Sequence, residues 1–117
     1  MSGRRAERVG EAVREAIADM LLRDIKDPRI GMITLTAVQF SDDLRHGRVY
    51  FTCMGDETSR RRSLSGLRSA SGFIRAQLTR RLKLRYAPEI EFAFDPSVES
   101  ADRLASLLKR PETEDES

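Results

Sequence analysis

The chain has 117 residues, 39% of them apolar, and 21 basic against 19 acidic side chains, which bounds it to one domain burying roughly 65% of its unfolded surface. Its single cysteine, Cys53, excludes an internal disulfide and CxxC-type zinc sites and fits a reducing compartment. No run approaches the ~20 apolar residues of a membrane span, and Glu11, Arg14, Glu15 and Asp19 interrupt any signal-peptide core, so the cytoplasm is the expected location.

Val9, Val13, Ile17 and Met20-Leu21 recur at helical spacing and predict an amphipathic helix over about 4–23. Asp27-Pro28-Arg29-Ile30-Gly31 breaks it. Ile33 to Phe40 is rich in β-branched residues, and its alternation changes phase near Ala37-Val38, as at a bulge or at an end frayed out of the sheet. Ser41-Asp42-Asp43 opens a loop that Gly47 closes. Arg48 to Met54 is a second strand with Val49, Phe51 and Cys53 on one face, completing a hairpin. A helix over 57–69 carries Leu64 and Leu67. A second helix over 73–84 stacks Ile74, Leu78 and Leu82 on one side and puts Arg75, Thr79, Arg80 and Lys83 on the opposite arc. Ile90, Phe92 and Phe94 alternate in a third strand. Ser97 is an N-cap for a last helix carrying Val98, Ala101, Leu104, Leu107 and Leu108. The order is α-β-β-α-α-β-α: an α+β domain over 1–110, with helices covering one face of a three-stranded sheet. Residues 111–117 carry four acids and no base, and cannot repay their ordering entropy; they are expected to form a disordered acidic tail.

Charge is not spread evenly. Arg60, Arg61, Arg62, Arg68, Arg75, Arg80, Arg81, Lys83 and Arg85 lie in a 27-residue stretch, Arg60 to Tyr86, that holds no carboxylate. A solvated helix face is the plainer reading of a charge run, but such faces mix signs, because Glu–Lys pairs four residues apart support the helix. An acid-free run of mostly arginine instead suits forked contacts to phosphates. Arg4, Arg5 and Arg8 either extend this surface or, diluted by Glu7 and Glu11, stand apart from it. Inside the run Ser69-Ala70-Ser71-Gly72 interrupts the helical pattern. Gly72 is a helix stop, one of a set of small residues that permit close packing, or part of a sharp interhelical kink that leaves the second helix's N-terminus open to a phosphate.

Catalytic chemistry finds little support. His46, the only histidine, stands beside a loop glycine. Cys53 is placed on the inward strand face as a buried thiol. No Gly-rich phosphate loop occurs. The acid pairs Asp42-Asp43 and Asp56-Glu57 lie where turns and helix starts use carboxylates for local hydrogen bonds. No metal, cofactor or enzymatic site is expected.

The element order is that of K-homology domains of the second, prokaryotic type, which clamp single strands with a GxxG loop between two helices. Here Ala70-Ser71-Gly72 stands in its place. With Arg8-Val9, Asp27-Pro28-Arg29, Val38 through Ser41-Asp42-Asp43-Leu44, Val49-Tyr50, Ala70-Ser71-Gly72-Phe73-Ile74-Arg75, Pro88-Glu89-Ile90-Glu91-Phe92, Asp95 and Ser97, the chain resembles the ribosome-binding factor A family of bacterial small-subunit assembly factors over roughly 5–108. That resemblance implies a K-homology type II-like fold with Ala70, Ser71 and Gly72 as the interhelical kink. It implies a non-catalytic monomer that binds the free small (30S) subunit and its 16S rRNA, supports late maturation and 5′-end processing, and matters most in the cold. Contact with rRNA is expected at Arg75, Arg80, Arg81, Lys83 and Arg85, supported by Arg60, Arg61, Arg62 and Arg68. Two alternatives stand: a K-homology RNA- or DNA-binding module acting away from the ribosome, and a small enzyme such as a nuclease, for which the lone His46 is a poor start.

Overall fold

Spacing of four and three residues puts Val13, Ile17 and Met20 on one side of α1 (Ser2–Arg23), and all three are fully buried. The computed structural model describes residues 2–96; the expected last helix around Val98 to Leu108 and the acidic tail 111–117 lie outside the described residues. α1 lies along β1 (Ile33–Phe40). The approach is close, since a Cβ on Gly10 would stand 2.8 Å from the Val38 carbonyl oxygen. After Arg23 the amides of Asp24 and Ile25 both donate to the Met20 carbonyl, which ends the helix.

Asp27 then closes a tight turn. Its carboxylate accepts from the Arg29 amide at 2.9 Å and pairs with the Arg29 guanidinium at 2.7 Å. The turn docks on α2 (Glu57–Ser69). Arg29 donates to Ser65 Oγ at 3.2 Å, and the Gly31 amide donates to Ser63 Oγ at 3.1 Å. Gly66 permits this docking, because a Cβ there would lie 2.6 Å from Ile30 Cγ1.

β2 (His46–Cys53) is the central strand, antiparallel to β1 and parallel to β3 (Glu89–Phe94). Leu35 sits opposite Phe51 and Val49 opposite Phe92, so one face of the sheet is apolar and receives the helices. The other face carries exposed Thr34 and the Arg48–Glu91 ion pair at 3.1 Å. The break in alternation is a bulge between Leu35 and Ala37, slightly earlier than the pattern suggests. Thr36 is the extra residue, and its hydroxyl donates to the buried Asp95 carboxylate at 2.6 Å. In sequence the slip shows only where the next large side chain, Val38, returns to the core.

Asp56 caps α2 by accepting the Ser59 amide at 3.0 Å, as its place before the helix implies. α3 (Ser71–Arg81) follows after one residue and buries Ile74 and Leu78. It ends three residues short of the expected Leu84. Lys83 takes a left-handed conformation (φ 52°), and the Leu84 amide reaches back to the Thr79 carbonyl at 3.0 Å. This wrapped-back end normally uses glycine. The wheel that set Lys83 beside Arg75 and Thr79 is therefore corrected: Lys83 lies beyond the helix.

Candidate nucleic-acid interface

Nine cations in an acid-free run would repel one another on a shared surface, and the fold resolves this by turning three of them toward groups from elsewhere in the chain. Arg75 Nε donates to the Pro88 carbonyl at 2.7 Å, and its Nη2 reaches both the Ala87 carbonyl and the Glu89 carboxylate at 3.4 Å. Arg81 bridges Asp19 at 3.0 Å and Asp24 at 3.4 Å, joining the end of α3 to α1. Arg60 lies over the Phe94 ring, 4.6 Å from its centroid, and is half-buried. Arg75 and Arg81, both expected to lead the contact surface, thus also bind groups within the fold through their guanidiniums. The sequence run held no acid, but the tertiary structure supplies Asp19, Asp24 and Glu89.

The other six point outward. On α2, Arg61, Arg62 and Arg68 are exposed. Arg61 is only loosely paired with Glu57, at 3.9 Å. Arg61 and Arg68 line a shallow depression with Leu64, Ser65 and Ser69, where guanidiniums and hydroxyls could meet one phosphate. Arg80, Lys83 and Arg85 are exposed around the end of α3. Arg5 and Arg8 of α1 share a groove with Leu82 and Leu84, which brings the N-terminal cations to the segment that follows α3. A sequence separation of more than seventy residues concealed that juxtaposition.

The interhelical turn is made by Ala70 alone (φ −87°, ψ −2°). Ser71 and Gly72 are already the first residues of α3, and a Cβ at Gly72 would meet nothing within 4 Å. The expectation that Gly72 sets a strained kink is corrected: its backbone is ordinary helix and the space around it is open. No side chain caps α3.

Arg29 holds the Asp27 carboxylate near about 2, below the ordinary 3.8, through its side-chain and backbone hydrogen bonds, and the charge of Arg62 adds to this. Asp43, held low by the Ser41 hydroxyl and the Arg45 amide, shapes the hairpin turn. His46 is exposed. Cys53, expected to be buried, is half-buried, with Sγ 3.4 Å from Ser63 Oγ. Among the described residues no three His, Cys, Asp or Glu side chains gather as a metal site, and no helix is long and apolar enough to cross a membrane.

One cluster escaped the sequence reading. Arg45, from the hairpin turn, stacks over the exposed Tyr86 ring at 4.4 Å, and Arg85 lies 5.9 Å from the same ring. Tyr86 beside Arg85 was the only legible sign; Arg45 is 41 positions away.

A three-stranded sheet with a central strand parallel to the last, covered on one face by helices in the order α-β-β-α-α-β, with a one-residue turn in place of GxxG, defines a K-homology type II-like domain. A family model for ribosome-binding factor A matches residues 5–108. Ribosome-binding factor A of Geobacter sulfurreducens is 44% identical over 110 residues, covering 94% of this chain and 93% of that one. The protein of the same name from Halothermothrix orenii is 44% identical over 117 residues, covering 100% and 96%. The chain belongs to the ribosome-binding factor A family. The crystal structure of ribosome-binding factor A from Thermus thermophilus superposes with a TM-score of 0.65 at 27% identity, covering 75% of this chain and 93% of that one. Coordinates for the Thermus thermophilus factor fitted into a cryo-EM map of its 30S complex superpose with a TM-score of 0.58 at 29% identity, covering 71% and 87%.

Proposed function

We propose that this chain binds the free small ribosomal subunit and its 16S rRNA as a non-catalytic cytoplasmic assembly factor, supporting late maturation and 5′-end processing, with the greatest demand in the cold. The observation that carries this reading is the likeness to a factor fitted within a 30S complex, together with outward cations at Arg61, Arg62, Arg68, Arg80, Lys83 and Arg85. These side chains neutralise phosphates, while Arg60, Arg75 and Arg81 hold the elements that present them. The protein acts as a monomer and favours one rRNA conformation over others by about a few kcal/mol of differential contact. The acidic tail over 111–117 opposes the basic surface in sign and competes weakly with RNA for it.

Gradient sedimentation with purified free small subunits and with intact ribosomes tests this. The chain is expected in the free small-subunit fraction and not with intact ribosomes. Absence from the small-subunit fraction, with RNA binding retained, would favour a K-homology module acting away from the ribosome.

A further inference from the structure

We propose that Arg45, Tyr86 and Arg85 form a stacking platform for one unpaired nucleobase, adjoining the phosphate-binding cations. The inference rests on the RNA-binding reading above and adds to it a specific site. Two observations carry it. Tyr86 is 51% exposed as a residue, and two guanidiniums lie over its ring, at 4.4 and 5.9 Å from the centroid. Among the described residues, neither Arg45 nor Arg85 has an ion-pair partner. Both therefore retain their donors, and the stacked guanidinium of Arg45 offers a flat cationic surface of the kind that bases stack upon.

The platform is held rigidly from both sides. Leu44 takes a left-handed conformation (φ 62°), and the Asp43 carboxylate accepts the Arg45 amide at 3.0 Å. The Arg45 carbonyl in turn accepts the Glu89 amide at 2.8 Å, tying the hairpin turn to the start of β3. On the other side Tyr86 lies between the left-handed Lys83 and the Ala87–Pro88 carbonyls that Arg75 pins. An aromatic ring fixed in advance, with free donors beside it, binds a base at little ordering cost. Its neighbours extend the site. Leu84 lines the groove that Arg5 and Arg8 flank, so a strand whose base stacks at Tyr86 has cations for its adjoining phosphates. A tie between two loops would explain one arginine on the ring; it does not explain two unpaired arginines around an exposed tyrosine.

The test uses the full chain and two short RNA probes of equal length, oligouridylate and its abasic ribose-phosphate counterpart. The wild-type chain is expected to prefer the base-bearing probe. Tyr86→Ala is expected to lose on the order of tenfold affinity for oligouridylate, within the range for one stacked base. It should lose nothing on the abasic probe, and its salt dependence should be unchanged. Tyr86→Phe keeps the ring and is expected to bind as wild type. Tyr86→Trp supplies a readout from the site itself, since the chain has no other tryptophan: oligouridylate should quench its emission and the abasic probe should not. The platform is overturned if wild type binds both probes equally, if Tyr86→Phe behaves as Tyr86→Ala, or if Tyr86→Trp emission responds to both probes alike. Small-subunit sedimentation in parallel keeps the two questions apart. A chain that discriminates the probes but does not sediment with small subunits refutes the ribosomal reading and leaves the platform standing.

Discussion

The guanidinium of Arg75 donates to the carbonyl of Pro88 at 2.7 Å, across thirteen residues, and fixes α3 against the start of β3. Pro88 is fully buried, so the carbonyl has little access to a replacement partner. Arg75 is thus a structural cation inside a basic run, in contrast to Arg68 and Arg80, which are exposed.

Arg75→Ala is expected to cost about 1.5–3 kcal/mol of stability, as for a hydrogen bond to a charged donor. Arg68→Glu with Arg80→Glu should leave stability within about 0.5 kcal/mol and weaken RNA binding. With about five phosphates neutralised, log K should fall against log salt with a slope of about −3.5 to −4.5. The double reversal should flatten that slope by about two phosphates' worth. Urea denaturation and salt titration of RNA affinity check both halves; an Arg75 variant as stable as wild type would remove its structural role.

Lys83 is a second position where structure and binding separate. Its left-handed backbone closes α3 where glycine is usual. For a residue with a Cβ this conformation costs roughly 1–2 kcal/mol. Lys83→Gly relieves that penalty, less the extra chain entropy of glycine, and should raise stability by about 0.5–1 kcal/mol. The same change removes an exposed cation. Higher melting temperature with lower RNA affinity is the expected pair of results, and unchanged affinity would take Lys83 off the interface.

The sequence disclosed the elements well because their signals are local. Val13, Ile17 and Met20 set α1, Asp56 marked the start of α2, and Ile90 alternating with Phe92 and Phe94 set β3. The site was less legible, because which arginines remain free depends on contacts distant in sequence. Arg81 meets Asp19 across 62 residues, and Arg75 meets Glu89 across 14. Arg45 reaches Tyr86 only when the hairpin turn and the α3–β3 connection are brought together by strand pairing. Composition could count the cations but could not show which carboxylates the fold brings beside them.

Asp27 gives a pH dependence whose sign is fixed. Its folded value of about 2 lies below the ordinary 3.8 because Arg29 stabilises the carboxylate. The folded state thus binds fewer protons than the unfolded state, so this contribution is complete above about pH 4 and is lost as pH falls through about 2. Asp27→Asn should make the acid limb of stability shallower over that window. Thermal unfolding of wild type and variant across the range checks it; parallel acid limbs would show that the Asp27–Arg29 pair is not coupled to folding.

Gly66 and Gly72 flank the same interhelical turn, and their surroundings are opposite. At Gly66 a Cβ would lie 2.6 Å from Ile30 Cγ1 and 3.3 Å from Asp27 Oδ2. The 27–30 turn is itself held by the Arg29–Ser65 and Gly31–Ser63 hydrogen bonds, so it cannot withdraw without breaking them. Gly66→Ala is therefore expected to destabilise by about 1–3 kcal/mol, as overpacking does in a close contact. At Gly72 a Cβ would meet nothing within 4 Å, and the residue is helical. Alanine there lowers the entropy of the unfolded chain and supports the first turn of α3, so Gly72→Ala should gain up to about 1 kcal/mol. The turn itself belongs to Ala70, which keeps its geometry in both variants. RNA affinity of Gly72→Ala should accordingly match wild type. Melting temperatures of the two variants should move in opposite directions, and a Gly72→Ala protein that loses stability or RNA binding would return the kink to Gly72.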